Sequence, residues 1–331
     1  MTGFFVNLLT NINKVVGSYG WSIVVFTLLI RLVLLPLDIK SKKSMRQMSK
    51  IQPKVQALQK KYANDKEKLN QKTMELYRKE HVSPTAGCLP MLISLPILWI
   101  MFTAMRTVGN AKTIEMLLDM KKSGALPTLQ GWLWIKNVFQ PDSFAATILP
   151  AVGSSLSTIR PSGAVAVLTE GNIAAAVEYL KSSEYSHLAA ALMPADAFNV
   201  VKFLGATLFL PTSFKYLFQY GNGLFILPLL AGASQFLMTK IMNGKQTQEQ
   251  KDQQALQTQQ QEQPQNNPMN SPVMKWFFPI FSVWICATSN AAFSIYWMAA
   301  NVIQIVQQLA VNWYFDRQDK KAAAAAQETT E

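Results

Sequence analysis

One basic side chain lies inside an otherwise apolar stretch. Arg31 has aliphatic neighbours on both sides within residues 26–37. A charge near the middle of a bilayer costs at least ~2.5–3.5 kcal/mol, so such a residue usually faces water or a partner. Snorkelling is the rival explanation, because Asp38 marks a polar edge about 10 Å away along a helix. Thr27, one turn earlier, favours a polar cavity, although a threonine can also bond its own helix.

Further polar residues recur in apolar stretches and suggest a shared surface. They are Ser94, Ser234, Gln235, Asn301, Gln304, Gln307 and Gln308. Asn301, Gln304 and Gln308 share one helical face, which Trp297 extends by a turn. If these faces converge with Arg31, they enclose a hydrophilic groove. Each residue can instead bond a neighbouring helix, which is the commoner role of a single Gln or Asn.

Residue patterns of catalysis are missing from the sequence. It has no glycine-rich phosphate loop and no metal-ligand cluster, and His81 and His187 lie far apart in polar stretches. We therefore expect neither an enzyme nor a cofactor. Cys88 and Cys286 fall in apolar stretches without paired spacing, which predicts free thiols. Secondary transport is disfavoured, because no repeat and no acid for ion coupling is visible.

The elements that must position these residues are membrane helices. Half of the 331 residues are hydrophobic, and they gather in runs. Crossing a bilayer takes roughly 20 apolar residues in a helix. We predict an all-α integral membrane protein whose five transmembrane helices surround a hydrophilic groove. The predicted spans are residues 19–37, 88–108, 224–242, 276–289 and 291–314.

The distribution of Lys and Arg predicts the orientation in the plasma membrane. The net charge is +12, and most of the excess lies in residues 38–87, which should therefore be cytoplasmic. The N terminus and residues 109–223 are then outside, whereas residues 243–275 and the tail 315–331 are inside. Topology explains the basic charge, so we expect no specific nucleic-acid partner.

The segments outside the spans have their own patterns. Residues 1–18 predict an amphipathic interfacial helix, with a cleaved signal peptide as the alternative. Residues 38–87 predict a helical hairpin, in which Pro53 bends the first helix and Asn64 caps the second.

Two loops have no functional interpretation. The insertion at residues 151–211 predicts weak helices at 171–181 and 195–208. Residues 243–275 are rich in Gln, and this composition predicts a flexible loop.

Several stretches resemble the YidC/Oxa/Alb family of membrane protein insertases. They include GWSIVVFTLLIRLVLLPLDIK from Gly20 and WLWIKNVFQPD from Trp132, together with residues 82–101, 223–242 and 272–308. The missing large N-terminal periplasmic domain is similar to the Gram-positive type. The resemblance implies five core helices around a groove that is open to the cytoplasm and lipid but closed to the outside.

The resemblance also implies roles for particular residues. The family's groove arginine falls on Arg31, and the client groove would comprise Arg31, Thr27, Ser94, Gln235, Trp297, Asn301 and Gln304. Ser94 is a departure, since the family often has Gln there. Apolar client segments would slide over Met238, Met242 and Met298, for which core gap-filling is the alternative. No nucleotide hydrolysis is required.

The expected partners follow from the same resemblance. They are nascent membrane proteins, with the ribosome, targeting factors and the Sec translocon as further candidates. The hairpin would offer a basic contact surface of Lys42, Lys43, Arg46, Lys50, Lys60 and Lys61, which anionic lipid headgroups could equally bind. Two rival functions stay open: a small-anion channel or transporter that uses Arg31, and a chaperone that only assembles inserted helices.

Overall fold

The computed structural model describes residues 2–80, 89–150, 159–192, 194–203, 206–242 and 272–328. This part of the chain is mostly helical, which confirms the all-α prediction at that coarse level. Cys88 and residues 243–271 of the Gln-rich loop lie outside it. The helices are α1 (Thr2–Val16), α2 (Tyr19–Lys61), α3 (Lys66–Lys79), α4 (Leu89–Ser123), α5 (Glu170–Leu180), α6 (Ser183–Leu192), α7 (Phe214–Tyr220), α8 (Ile226–Met242), α9 (Pro272–Thr288) and α10 (Ala291–Glu328).

The chain divides into two compact units. The larger combines Met1–Leu28 with Phe102–Glu331, and the smaller comprises Leu29–Met101. Pro36 and Pro53 both lie inside α2, so neither of them ends this helix.

The smaller unit contains the two basic helices. Lys54 of α2 pairs with Glu80, just after α3, at 2.5 Å, so the chain turns back along α2. This ammonium group lowers the pKa of the Glu80 carboxyl through its hydrogen bond. The prediction that Asn64 caps α3 is wrong by one residue, because the Asp65 carboxylate accepts the Lys68 N–H at 3.0 Å. A carboxylate at this position also interacts favourably with the helix dipole.

In the larger unit, α8 packs against α9 and α10. Gly232 allows the close approach of α9, because a Cβ atom at this position would overlap the Val283 side chain. Small residues at helix contacts are typical of membrane proteins, where tight packing replaces the hydrophobic effect. Cys286 of α9 is a buried free thiol.

The predicted helix at 195–208 is wrong. A short 3₁₀ turn at Ala195–Ala197 leads into an antiparallel pair of strands, β1 (Phe198–Phe203) and β2 (Ala206–Pro211). Aromatic and β-branched residues such as Val200, Val201 and Phe203 favour extended backbone. The described residues are therefore mostly helical with one small sheet.

A cluster of buried apolar residues lies beside the C-terminal part of α4. This helix runs to Ser123, beyond the predicted span, and Ile114 and Leu117 on it are fully buried. Together with Leu149 and Tyr179 they belong to one cluster of buried apolar residues. The insertion is thus packed on α4.

Length and hydropathy support membrane crossing for some of the helices. Among the described residues, one helical segment, Tyr19–Ser44, is long and apolar enough to cross a membrane. Two apolar segments, Ile226–Ile241 and Trp276–Thr288, are shorter. Helix α10 is long, but Asn301 and the glutamines that follow lower its hydropathy. The arrangement of five spans stays a prediction.

Candidate functional site

Polar side chains meet inside the apolar packing of α8 and α10. The Asn301 amide Nδ2 donates a hydrogen bond to the Ser234 hydroxyl at 3.0 Å, and this hydroxyl donates to the Ala231 carbonyl at 2.9 Å. Asn301 is buried and Ser234 is half-buried. The bond confirms that at least one polar residue of α10 interacts with a neighbouring helix.

Trp297 lies one turn before Asn301 and has an unsatisfied donor. Its indole Nε1 is buried without a hydrogen-bond acceptor in the part of the chain that the structure describes. The indole ring packs near the ring of Phe293, with centroids 5.5 Å apart. Gln304, one turn after Asn301, is half-buried. We call Ser234, Trp297, Asn301 and Gln304 the polar stripe.

Two other predicted groove residues of the larger unit are placed as follows. Gln235 is half-buried beside Ser234 in α8. Thr27 is buried, and its hydroxyl donates to the Ile23 carbonyl of its own helix at 2.6 Å. The Thr27 hydroxyl hydrogen therefore already has a partner.

Arg31 belongs to the smaller unit, where it has charged neighbours on its own helix. It is half-buried, and its charge interacts with those of Asp38 and Lys42. The spacings of seven and four residues place these three side chains on one helical face. In the sequence, Asp38 marks the polar end of the apolar run, and its spacing from Arg31 already indicates that the two charges interact.

The methionines of the predicted slide differ in exposure. Met238 is 3% exposed, which favours gap-filling in the core over a sliding surface. Met298 is half-buried. The exposed apolar residues of α8 are instead Leu229, Leu230, Phe236 and Leu237.

The basic hairpin surface is described in part. Lys43, Lys60 and Lys61 are exposed and Lys42 is half-buried. Arg46 and Lys50 lie in α2, Ser94 in α4 and Met242 at the end of α8, and their side chains are outside the described part.

A buried carboxylate that was not predicted from the sequence lies at Asp142. Asp142 is 0% exposed and accepts hydrogen bonds from the backbone N–H groups of Leu224 at 2.9 Å, Phe225 at 3.2 Å and Leu227 at 2.7 Å. The Trp134 indole donates to it as well, at 3.3 Å. Asp142 therefore caps the start of α8 from a loop about 80 residues earlier, as the helix dipole favours.

Two asparagines extend this network. The Asn222 amide donates to the carbonyls of Asn137 at 2.9 Å and Pro141 at 2.8 Å, and accepts the Asn137 N–H at 2.9 Å. Asn137, Asp142 and Asn222 are all buried, and we call them the polar knot. The same loop also accepts hydrogen bonds from the start of α10, where the Ala291 and Ala292 N–H groups donate to backbone carbonyls of residues 140 and 138. The knot thus ties together the first turns of α8 and α10.

Comparison with known sequences identifies the family. The sequence model of the 60Kd inner membrane protein family matches residues 11–319. The chain therefore belongs to this family, which confirms the resemblance predicted from the sequence and supports a location in the cell membrane.

Individual relatives with similar sequences are named as membrane protein insertases. The chain is 40% identical over 157 residues to the membrane protein insertase YidC of Fusobacterium nucleatum subsp. nucleatum, a match covering 47% of this chain and 67% of that protein. It is 47% identical over 110 residues to the insertase YidC of Caldanaerobacter subterraneus subsp. tengcongensis, covering 33% and 53%. For the Legionella pneumophila protein of the same name, the identity is 48% over 97 residues, covering 29% and 17%. These names denote insertion into a membrane, not a catalysed reaction.

Proposed function

We propose that this chain is a membrane protein insertase in which polar side chains at membrane depth receive hydrophilic segments of a client. The polar stripe carries the proposal. A buried indole N–H without an acceptor, beside a buried amide, can donate to the backbone or side chains of a passing chain. Bonding in this way lowers the cost of desolvating the client's polar groups.

Arg31, in the smaller unit, is a second proposed client-binding position. Together with Asp38 and Lys42 it forms a cluster that is net positive when all three side chains are ionised. Such a cluster attracts acidic client segments while the Asp38 charge lowers the cost of placing Arg31 among apolar residues. Thr27, Ser94 and Gln235 are further residues that we propose as client contacts.

Apolar client segments leave the groove for lipid. The exposed aliphatic and aromatic residues of α8, with Met242 and Met298, would form the path. Transfer of apolar surface out of water supplies about 25 cal/mol per Å², so no nucleotide hydrolysis is needed.

The topology proposed from the sequence fits this mechanism. Five spans place the N terminus outside and the basic helices inside, where the exposed Lys43, Lys60 and Lys61 meet clients, targeting factors or the ribosome. The Sec translocon is a further proposed partner, and anionic headgroups bind the same basic surface.

A reconstituted insertion assay tests the proposal. The purified chain in proteoliposomes receives a small single-span client with an acidic translocated segment, and protease protection measures insertion. We expect Arg31→Ala to reduce insertion strongly and Arg31→Lys to retain much of it. Arg160→Ala is the matched control, since Arg160 is an exposed arginine within the insertion.

Two outcomes would contradict the insertase. Equal insertion by all variants would show that the charge at position 31 is unnecessary. Normal insertion of such clients in cells depleted of the protein, together with lost anion uptake, would favour a channel or transporter.

A further inference from the structure

Two phenylalanines of α7 are exposed on one face. Phe214 is 82% exposed and Phe218 is 63% exposed. Residues four apart lie on the same side of a helix, so the two rings form one apolar face. Lys215, beside them, is also exposed.

The opposite face of α7 is occupied. The Tyr216 hydroxyl donates to the Asp196 carboxylate at 3.2 Å, and the rings of Tyr216 and Tyr220 lie 5.7 Å apart. Thr212, just before α7, donates to the Asp196 carbonyl at 2.8 Å. These contacts fix the rotation of α7 and leave the phenylalanine face outward.

Hydrogen bonds also fix the C-terminal end of α7 in space. The Lys136 ammonium donates to the carbonyls of Phe218 at 2.7 Å and Gln219 at 2.6 Å, at the C-terminal end of α7. Asn222 of the polar knot follows directly, and α8 begins at Ile226. Helix α7 is therefore held at the level of the first turn of α8.

This level carries other exposed apolar groups. Leu133 is exposed in a left-handed backbone conformation, with φ 51°. Phe144 is exposed beside the ring of Phe225, at 5.9 Å, immediately before α8. Exposed apolar residues therefore occur both in the loop that bonds the end of α7 and immediately before α8, a helix that itself exposes leucines.

We propose that α7 lies in the headgroup layer of the leaflet where α8 begins, with Phe214 and Phe218 inserted between acyl chains and Lys215 near lipid phosphates. Aromatic residues with a basic neighbour are typical of this layer. The proposal rests on the proposed membrane crossing of α8. A protein partner fits less well, because two Phe side chains bury only about 300–500 Å², below the roughly 600 Å² that each partner buries in the smallest stable interfaces.

Spin labelling of the full chain tests the proposal. In a background with Cys88→Ser and Cys286→Ala, nitroxides are attached to F214C, F218C and the control Q219C, in nanodiscs of phosphatidylethanolamine and phosphatidylglycerol. We expect collisions with oxygen to exceed those with a nickel chelate at 214 and 218, and the reverse at the exposed Gln219.

Two results would overturn the lipid contact. Nickel collisions at 214 and 218 as frequent as those at 219 would place both rings in water. Low collision rates with both reagents would show that protein, a second copy included, covers α7.

A second measurement does not depend on a label. In the same nanodiscs, F214S/F218S should raise deuterium exchange of the α7 amides about tenfold or more, because the anchoring burial is lost. Unchanged exchange contradicts the proposal. The insertion activity of the labelled proteins is measured separately. If they insert clients but the collision rates at 214 and 218 do not show lipid contact, only the α7 proposal is rejected. If the collision rates show lipid contact but the proteins do not insert clients, the result counts against the proposed groove.

Discussion

The polar knot and the polar stripe both place polar side chains among apolar residues of the larger unit, but they differ in how these side chains are paired. In the knot, the Asp142 carboxylate accepts three backbone N–H groups and one indole N–H. In the stripe, Asn301 bonds Ser234, whereas the buried Trp297 N–H has no acceptor within the described residues.

This difference is the basis for proposing a structural role for the knot and a client-binding role for the stripe. A buried polar group with all its partners fixes the backbone around it, and removing one partner leaves the others unsatisfied. A buried donor without a protein acceptor costs stability, and an acceptor from outside the protein restores the missing hydrogen bond. The knot therefore holds α8 and α10 in place, and the stripe is where we propose that a client binds.

The strongest test of this comparison removes the carboxylate of the knot. Asp142→Ala should lower the free energy of unfolding by about 3–5 kcal/mol, because it leaves several buried N–H groups without an acceptor. Asp142→Asn retains one acceptor oxygen and should lose less. Thermal unfolding in detergent measures both, with the exposed Asp119→Ala as control. If Asp142→Ala and Asp119→Ala unfold at similar temperatures, the knot has no structural role.

The next effect concerns the amide of the knot. Asn222→Ala deprives two carbonyls and one N–H of their partners, so we expect a loss of about 2–3 kcal/mol by the same assay. Asn199→Ala, on the exposed side of β1, should change stability little. A smaller loss for Asn222 than for Asn199 would contradict the network.

A polar bond in the stripe should matter less for stability. Ser234→Ala removes the acceptor of Asn301, and hydrogen bonds between membrane helices average ~0.6 kcal/mol. Denaturation in mixed micelles should give a value near that average. A loss as large as that of Asp142→Ala would abolish the contrast between the two regions.

No loss of stability is expected at Trp297. Replacing it with benzothienylalanine keeps the ring shape but removes the N–H, so stability should be equal or higher by up to ~1 kcal/mol, while insertion falls. The same replacement at Trp284, an exposed residue of α9, is the control. Unchanged insertion would show that the client does not use the Trp297 N–H.

Sequence reasoning succeeded where the signal is local. Apolar runs predicted a mostly helical chain, and the stretches around Arg31 and Trp132 predicted the family. It failed at 195–208, where weak helical spacing competed with aromatic and β-branched residues, and a strand pair formed. For Met238, composition left two roles open, and its burial favours one of them.

The sequence by itself determined the helical character, the basic loop and the position of Arg31 in an apolar run, because periodicity, charge and hydropathy act between near neighbours in the chain. Only the tertiary structure decided which polar groups are satisfied. Asp142 meets the start of α8 about 80 residues later, and Asn301 meets Ser234 across two helices. Hydrogen bonds of this kind depend on distances of about 3 Å between atoms remote in sequence, and only packing of the whole chain sets those distances.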